Sequence, residues 1–258
     1  MSHRARKRFG QNFLVDSSVV EDIVNAVAPQ PGQRLVEIGP GTGALSSRLL
    51  AAAGELHVIE IDRDLVADLQ RRYAGQSVHV HQADALKFDF RELAHQLGGP
   101  LRIVGNLPYN ISTPLLFHLM AATDCIADMH FMLQKEVVAR IAAVPGNKQY
   151  GKLSLMVQAR CAVTPLFDVP PSAFAPPPEV NSSVFRCVPY PQALVAAEDF
   201  ERFTRVVTAA FAQRRKTLHN NFKGLLTDAH LQAAGIAPSQ RAEELSLADY
   251  ARLAQLLS

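Results

Sequence analysis

Residues 34–53 have the sequence RLVEIGPGTGALSSRLLAAA, and this stretch decides the fold class. Residues 34–38 are strand-like, residues 39–43 form a glycine-rich turn, and residues 44–53 have the apolar spacing of a helix. Glycines in such a turn let a ligand approach the backbone, and the following helix points its first N–H groups at that ligand. The stretch therefore predicts an α/β fold with a doubly wound, nucleotide-binding sheet.

The glycine spacing and the next strand indicate which ligand the turn holds. The spacing is G-x-G-x-G, which departs from the G-x-G-x-x-G of dinucleotide sites and is closer to an S-adenosylmethionine loop. Glu60 ends the next strand, 17 positions after Gly43 (60 minus 43), near the offset at which an acidic residue accepts hydrogen bonds from a ribose. Asp62 is the alternative ribose ligand, or it caps the helix that follows.

A second informative stretch is the apolar run 101–105, which leads directly into Asn106, Leu107, Pro108 and Tyr109. This pattern predicts a buried parallel strand that delivers a loop to the ligand-binding edge of the sheet. The Asn106 amide and the Leu107 main chain each offer a carbonyl, and Tyr109 offers a flat ring. Together they suit a planar ring that carries an amino group. The alternative is a structural turn with a core tyrosine.

Two further candidates each have a structural alternative. Asp84 follows the strand 78–81 and either accepts from the amine of a cofactor adenine or makes an Asx turn. Phe174 lies in the proline-rich stretch 169–180, which we expect to be extended. Its ring is either presented to a ligand or packed in the core.

The remaining pattern predicts two domains. We expect long strands at 153–163 and 183–189, and then helices only, from about Pro191. The predicted boundaries are 1–190 for a Rossmann-like methyltransferase domain and 191–258 for a small all-helical domain that contacts RNA.

Two basic clusters favour contacts with RNA, although the net charge of the whole chain is only +2. Phosphate contacts supply most nucleic-acid affinity, whereas the alternative for the second cluster is a solvated helix end. The clusters consist of Arg4, Arg6, Lys7 and Arg8 near the N-terminus, and of Arg214, Arg215 and Lys216.

Composition excludes several classes of protein. With 258 residues, 48% of them hydrophobic, the chain can bury a full core. Polar residues follow the basic N-terminus where a signal peptide needs an apolar core, and no stretch approaches a membrane span, so we expect a cytoplasmic protein without membrane contact. Cys125, Cys161 and Cys187 are widely spaced in apolar segments, which predicts buried thiols in a reduced compartment and no metal site.

The chain resembles the bacterial small-subunit (16S) ribosomal RNA adenine N6,N6-dimethyltransferase family over nearly its whole length. The matching segments are Ala5–Asp16 (ARKRFGQNFLVD), Glu37–Gly43, Asn106–Leu119 (NLPYNISTPLLFHL), Gln134–Val138, Val169–Ser182 and Ala210–Leu218 (AFAQRRKTL). The resemblance implies S-adenosylmethionine as cofactor and dimethylation of two adjacent adenosines in the 3′-terminal hairpin of 16S rRNA, in immature small subunits. We expect a monomer. One departure is His219, where the family has an arginine.

The resemblance also implies roles for individual residues. The cofactor is held by Asn12 and Leu14, which close over it, by Gly39 and Gly41 of the loop, by Glu60 at the ribose, by Asp84 at the adenine and by Asn106. The target amine donates to the Asn106 side chain and the Leu107 carbonyl, while Tyr109 and Phe174 sandwich the flipped-out base. No general base is needed, because direct displacement depends mainly on position and alignment.

Three alternatives stay open at the level of sequence. A large-subunit rRNA adenine methylase of the antibiotic-resistance kind shares the residue 106–109 motif but fits the proline-rich loop and C-terminal basic run less well. A DNA adenine methylase usually has a second proline in place of Leu107. A factor that binds immature small subunits, with methylation incidental, is the non-enzymatic alternative.

Overall fold

The structure is a computed structural model of the chain, and it describes residues 12–196 and 198–257. The described residues form two compact units. The first runs up to Val138 and includes Thr164–Val188. The second contains Ala139–Val163 and the residues from Pro189 onward.

Nine strands occur in the described residues. They are β1 (Phe13–Leu14), β2 (Leu35–Ile38), β3 (Leu56–Glu60), β4 (Val78–Gln82), β5 (Leu101–Asn106), β6 (Ile126–Gln134), β7 (Cys161–Val169), β8 (Phe174–Ala175) and β9 (Ser182–Pro189). Seven of them form one sheet in the order β4-β3-β2-β5-β6-β9-β7, and β1 pairs with β8 in a separate antiparallel sheet.

The large sheet is doubly wound, which confirms the predicted fold class. Strands β2 to β6 are parallel, and β9 is antiparallel to β6. From β2 the chain first builds outward through β3 to β4, and it then returns to build β5 and β6 on the other side. Between β2 and β5 the winding direction reverses, and ligands of such sheets bind beyond the carboxyl ends of the strands at this point.

Eleven α-helices occur in the described residues. They are α1 (Ser17–Val27), α2 (Ser46–Ala53), α3 (Arg63–Arg72), α4 (Phe90–Gln96), α5 (Ser112–Met120), α6 (Lys135–Ile141), α7 (Lys152–Gln158), α8 (Phe200–Ala210), α9 (Leu218–Asn221), α10 (Asp228–Ala233) and α11 (Leu247–Gln255). Helix α1 begins where the Asp16 carboxylate accepts the N–H groups of Ser18 and Val19, and its apolar face is buried.

After β9 the described chain contains helices and loops and no further strand, apart from one isolated antiparallel bridge between Thr217 and Arg241. Helix α8 buries Phe203, Val206, Val207 and Ala210, which form one apolar face at helical spacing. Helix α11 begins at a serine cap, where the Ser246 hydroxyl accepts the N–H of Asp249 at 3.2 Å.

The prediction of a strand over residues 153–163 is wrong. Residues 152–158 form helix α7, and β7 begins only at Cys161 and continues to Val169. Residues 153–157 are all buried, so this run lacks the alternation that distinguishes a helix from a strand. The Ser154 hydroxyl accepts the N–H of Gly151 at 3.1 Å and donates to the Arg140 carbonyl at 2.5 Å, which anchors the first turn of the helix.

The cysteine prediction holds for two of the three thiols. Cys161 and Cys187 are buried, Cys125 is half-buried, and none of the three forms a disulfide. No helix among residues 12–196 and 198–257 combines the length and the apolar character that a membrane crossing requires.

Candidate active site

A cavity of about 270 Å³ lies in the first unit at the carboxyl ends of the central strands. Its walls come from residues 12–14, from the glycine turn, and from the segments that end or follow β3, β4 and β5. The lining includes Asn12, Leu14, Gly39, Gly41, Glu60, Asp84, Asn106, Leu107 and Tyr109. All the residues predicted to hold the cofactor therefore lie around one cavity.

The glycine turn keeps bare backbone against this cavity. Gly39 and Gly41 have φ angles of 66° and 55°, in the left-handed region that favours glycine. A Cβ added at Gly41 would lie 3.0 Å from the Cδ1 atom of the Phe13 ring. A side chain at position 41 would thus strain the backbone and push against the ring that covers the turn.

Glu60 is a buried carboxylate at the end of β3, with only 6% of its surface exposed. Its Oε1 accepts the main-chain N–H of Asp62 at 2.9 Å. Burial raises the pKa of this carboxyl, while main-chain hydrogen bonds from Asp62, Gly41 and Ile61 oppose the increase. These main-chain donors fix the position of Glu60, and because a carboxylate has about four acceptor sites, it keeps capacity for hydroxyl groups of a ligand.

The two other acidic candidates lie in different surroundings. Asp62 caps α3 by accepting the N–H of Asp64 at 3.1 Å, and it is not among the residues that line the cavity. Asp84 does line the cavity, and its carboxylate also closes an Asx turn by accepting the N–H of Leu86 at 3.0 Å. The turn fixes the backbone around Asp84 and leaves its second oxygen available to a ligand.

Asn106 is oriented by a contact with the N-terminal segment. Its Nδ2 donates to the main-chain carbonyl of Asn12 at 3.1 Å, across 94 positions of sequence. Because the amide nitrogen is engaged in this way, the Oδ1 atom is left as the acceptor. Asn106 ends β5 and is half-buried at the cavity.

Leu107 and Tyr109 follow Asn106 along the same wall. The Leu107 N–H donates to the Met132 carbonyl at 3.2 Å, and no hydrogen bond within the described residues ends on the Leu107 carbonyl. The Tyr109 hydroxyl lies 2.8 Å from the Ser182 hydroxyl, and the Tyr109 carbonyl accepts from Ser112 at 3.1 Å. Tyr109 is therefore fixed both at its main-chain carbonyl and at the hydroxyl of its ring.

Phe174 lies in different surroundings from the other candidates. It is 4% exposed, packs in the hydrophobic core with Leu14 and Val169, and is not among the residues that line the cavity. In the β1–β8 pair, Leu14 is opposite Phe174 and Phe13 is opposite Ala175. This pair joins the proline-rich loop to the segment that carries Asn12.

Glu37 also lines the cavity, although no role was predicted for it from the sequence. Glu37 lies in β2 and accepts a 2.5 Å hydrogen bond from the Ser46 hydroxyl at the start of α2. Burial, reinforced by the nearby charge of Glu60, raises its pKa to about 7, although the Ser46 hydrogen bond acts in the opposite direction. An acidic residue inside an otherwise apolar strand, two positions before the glycine turn, was the available signal.

The C-terminal basic cluster lies in the second unit. Arg214, Arg215 and Lys216 are exposed in the turn after α8. Arg214 is engaged within its own unit, where its Nε donates to Glu243 at 3.0 Å and its guanidinium also contacts the Lys148 carbonyl. His219 pairs with Asp228 at 2.8 Å. The N-terminal cluster of Arg4, Arg6, Lys7 and Arg8 lies outside the described residues.

Comparison with known proteins gives a consistent result. A family model for ribosomal RNA adenine dimethylase matches residues 2–258. The Ribosomal RNA small subunit methyltransferase A of Aromatoleum aromaticum is 53% identical over 256 residues, which cover 99% of this chain and 95% of that protein. The protein of the same name from Salmonella typhimurium is 52% identical over 257 residues, covering 99% of this chain and 94% of the relative.

Solved structures agree with these sequence relatives. A dimethyladenosine transferase from Plasmodium falciparum superposes with a TM-score of 0.80 at 26% identity, covering 93% of this chain and 95% of that one. The 23S rRNA methyltransferase ErmE superposes with a TM-score of 0.73 at 22% identity, covering 95% and 99%, and shows the same fold. Since the family model and the close relatives span nearly the whole chain, the chain belongs to the ribosomal RNA adenine dimethylase family and is an rRNA adenine dimethyltransferase.

Proposed function

We propose that the chain transfers methyl groups from S-adenosylmethionine to the exocyclic N6 amines of two adjacent adenosines in the 3′-terminal hairpin of 16S rRNA, in immature small subunits. The observation that carries the proposal is the Asn106–Asn12 hydrogen bond. It leaves Asn106 Oδ1 as an acceptor beside the Leu107 carbonyl, at the cavity where the candidate cofactor residues meet. The family and the small-subunit relatives support the choice of substrate.

The cavity fits the proposed cofactor. The positive φ of Gly39 and Gly41 leaves backbone surface that a Cβ would fill, as close approach of a ligand requires. Glu60 would accept from the ribose hydroxyls, Asp84 from the adenine amine, and Asn12 with Leu14 would cover the ligand. When bound, S-adenosylmethionine supplies an electrophilic methyl group on a sulfonium ion.

The chain itself contributes the position of the target amine. The lone pair of an adenine N6 is conjugated with the ring, so the amine is a poor nucleophile while it is planar. Hydrogen bonds from its two N–H groups to Asn106 Oδ1 and the Leu107 carbonyl would favour a pyramidal nitrogen with its lone pair directed into the cavity. The Tyr109 ring would stack on the base and exclude water from one face.

The second methylation of the same amine uses one acceptor fewer. A monomethylated N6 keeps a single N–H, so either Asn106 or Leu107 holds it and the other carbonyl faces the new methyl group. Phe174 would complete the stack only if its ring leaves the core position beside Leu14. We propose this displacement as a step of target binding.

The basic clusters would supply the RNA contacts. Arg215 and Lys216 are exposed and positioned for phosphates, whereas Arg214 would exchange its Glu243 partner for a phosphate. The residues Arg4, Arg6, Lys7 and Arg8 would add further phosphate contacts. We further propose that the protein acts as a monomer in the cytoplasm, where immature small subunits are found.

Mass spectrometry of rRNA tests the proposed substrate. Immature small subunits would be incubated with the protein and isotopically labelled S-adenosylmethionine, and their 16S rRNA digested. We expect four labelled methyl groups on two adjacent adenosines, and a ~100- to 1000-fold slower appearance of label in a parallel reaction with the Asn106→Ala variant. Label found on 23S rRNA in a large-subunit reaction, with none on 16S rRNA, would refute the proposed substrate.

A further inference from the structure

The outer edge of the sheet contains a cluster of imidazoles that the proposed reaction does not use. Strands β3 and β4 are parallel, with His57 opposite His79 and Ile59 opposite His81. Side chains two positions apart along a strand share a face, so His79 and His81 point the same way, and Glu55, directly before β3, lies against His79 on that face. The four side chains therefore meet on one face, at the opposite end of β3 from Glu60.

The ligand-capable atoms of this cluster are close together. The Nε2 atom of His79 lies 2.8 Å from Glu55 Oε1, and the Nε2 atom of His57 lies 3.9 Å from the same oxygen. One ligand atom from each of Glu55, His57 and His79 can be chosen so that all lie within 4.8 Å of one another. Two ligands of one zinc ion, each about 2.1 Å from it, are roughly 3.4 Å apart in tetrahedral geometry, which lies between the observed separations of 2.8 and 3.9 Å.

The buried His57 side chain is independent evidence that a ligand binds at this position. It is 6% exposed, and its Nε2 has no hydrogen-bond partner within the described residues, which is costly for a buried polar atom. Its Nδ1 lies 3.0 Å from His81 Nε2. When His57 donates from Nδ1 to His81, its Nε2 carries the lone pair and is directed toward Glu55 as a metal ligand requires.

We propose that Glu55, His57 and His79 form a binding site for a divalent transition-metal ion of the zinc class. Two imidazoles and one carboxylate suit zinc, cobalt or nickel, whereas magnesium and calcium prefer sites made of oxygen atoms alone. The His57 and His79 rings are stacked with centroids 4.4 Å apart, so their Nε2 lone pairs do not converge in this arrangement, and the half-exposed His79 would rotate to direct its Nε2 at the ion. Water completes the coordination, and His81 is a positioning residue that holds His57.

The ion would join the first residues of β3 to the edge strand β4. Both strands lead into the cavity, β3 through Glu60 and β4 through the segment that carries Asp84. Because an ion that binds only the folded protein stabilises it, zinc should raise the temperature of unfolding without entering the cavity. Glu55 directly precedes β3 and Glu60 ends it, five residues or roughly 17 Å further along the extended chain, so the two sites are separate.

Calorimetric titration of the full-length, chelator-treated protein with zinc chloride tests the proposal. We expect one zinc ion per chain and no heat of binding with magnesium. His79→Ala and Glu55→Gln each change an exposed side chain and remove a direct ligand of the ion. Each should weaken zinc binding by more than ~100-fold, which is the upper range for losing a residue that only supports a ligand. His81→Ala should weaken it ~10- to 100-fold, since it removes such a partner.

The matched control is His219→Ala. His219 pairs with Asp228 at 2.8 Å, as His79 pairs with Glu55, but within the described residues no second imidazole joins that pair to form a candidate site. Zinc binding should be unchanged in this variant. Cobalt should give a visible absorption band with the wild-type protein and lose it in His79→Ala. Equal zinc affinity in wild type and His79→Ala, or no zinc binding by wild type, would overturn the proposal.

Discussion

The hydroxyl oxygens of Tyr109 and Ser182 lie 2.8 Å apart, and this contact ties the loop after β5 to the first residue of β9. Ser182 is fully buried, so its hydroxyl depends on Tyr109 for a partner. The same tyrosine ring is the one proposed to stack on the target base. Loss of the hydroxyl and loss of the ring should therefore have separable effects.

For Tyr109→Phe we expect a loss of about 1 to 3 kcal/mol of unfolding free energy, because the buried Ser182 hydroxyl is left without a partner, with nearly full methylation activity. For Tyr109→Ala we expect a severe loss of activity, since ~1 to 3 kcal/mol of base stacking is removed. Chemical denaturation and single-turnover assays measure the two effects. Combining Tyr109→Phe with Ser182→Ala should restore part of the lost stability, and a strictly additive double variant would contradict the coupling.

Replacing Asn106 tests whether its side chain accepts a hydrogen bond from the target amine. Asn106→Ala should lower the single-turnover rate at saturating cofactor ~100- to 1000-fold, by analogy with the loss of a preorganised hydrogen-bond partner. RNA binding should change little, because phosphate contacts dominate affinity. Asn106→Asp keeps an acceptor but loses the donor to Asn12, so its rate should lie between those of wild type and Asn106→Ala. A near wild-type rate for Asn106→Ala would show that the amide does not hold the amine.

Glu60 and Asp62 provide a matched pair for the cofactor site. Glu60→Ala should weaken S-adenosylmethionine binding by ~1 to 3 kcal/mol in a calorimetric titration, because the ribose hydroxyls lose a charged acceptor. Asp62→Ala should instead cost ~1 kcal/mol of stability through the lost cap of α3, with cofactor affinity unchanged. The reverse pattern would assign the ribose contact to Asp62.

The C-terminal basic cluster should govern the salt dependence of RNA binding. Arg214→Ala, Arg215→Ala and Lys216→Ala together should flatten the slope of log affinity against log salt by up to ~2 to 3 units. Arg215→Ala with Lys216→Ala should produce most of this change, since Arg214 is engaged with Glu243. Arg71→Ala, which removes an exposed charge from the first unit, is the control. An unchanged slope in the triple variant would mean that the cluster is only a solvated helix end.

Glu37 should make stability depend on pH. Its folded pKa is raised from 4.5 to about 7, so between these values the folded protein keeps a proton that the unfolded chain has released. Stability contributed by this proton is complete below pH 4.5 and is lost as pH rises toward 7, by roughly 3 kcal/mol in total. Glu37→Gln keeps the shape and removes the titration. Its unfolding free energy relative to wild type should therefore increase between pH 4.5 and 7, and a constant difference would refute the shift.

The sheet and the cavity follow from local sequence, whereas several contacts do not. Strand, glycine turn and helix are encoded within residues 34–53, and the acidic residues that end the next strands can be located by their spacing from the glycine turn. The Asn106–Asn12 contact joins residues 94 positions apart, and no local pattern reports it. The histidine cluster was missed because it depends on which residue of β4 lies opposite His57, and this register is set by tertiary packing.

Helix α7 shows the limit of apolar periodicity. Residues 153–157 are all buried, so the run has no polar face. Without one, the sequence does not show whether apolar residues repeat with the spacing of a helix or of a strand. Strand β7 was also obscured, because Pro165 lies inside it. A proline is tolerated there because β7 is the outermost strand of the sheet, where one side makes no ladder hydrogen bonds.

The pairing of β1 with β8 affects how shortened or tagged versions of this protein should be interpreted. Removing the chain through Leu14 deletes more than the basic residues, because it also removes the partner strand of Phe174 and the carbonyl that orients Asn106. An inactive truncation would therefore say little about RNA contacts. Point substitutions of Arg4, Arg6, Lys7 and Arg8 leave that pairing in place, and they are therefore the better test of RNA contacts.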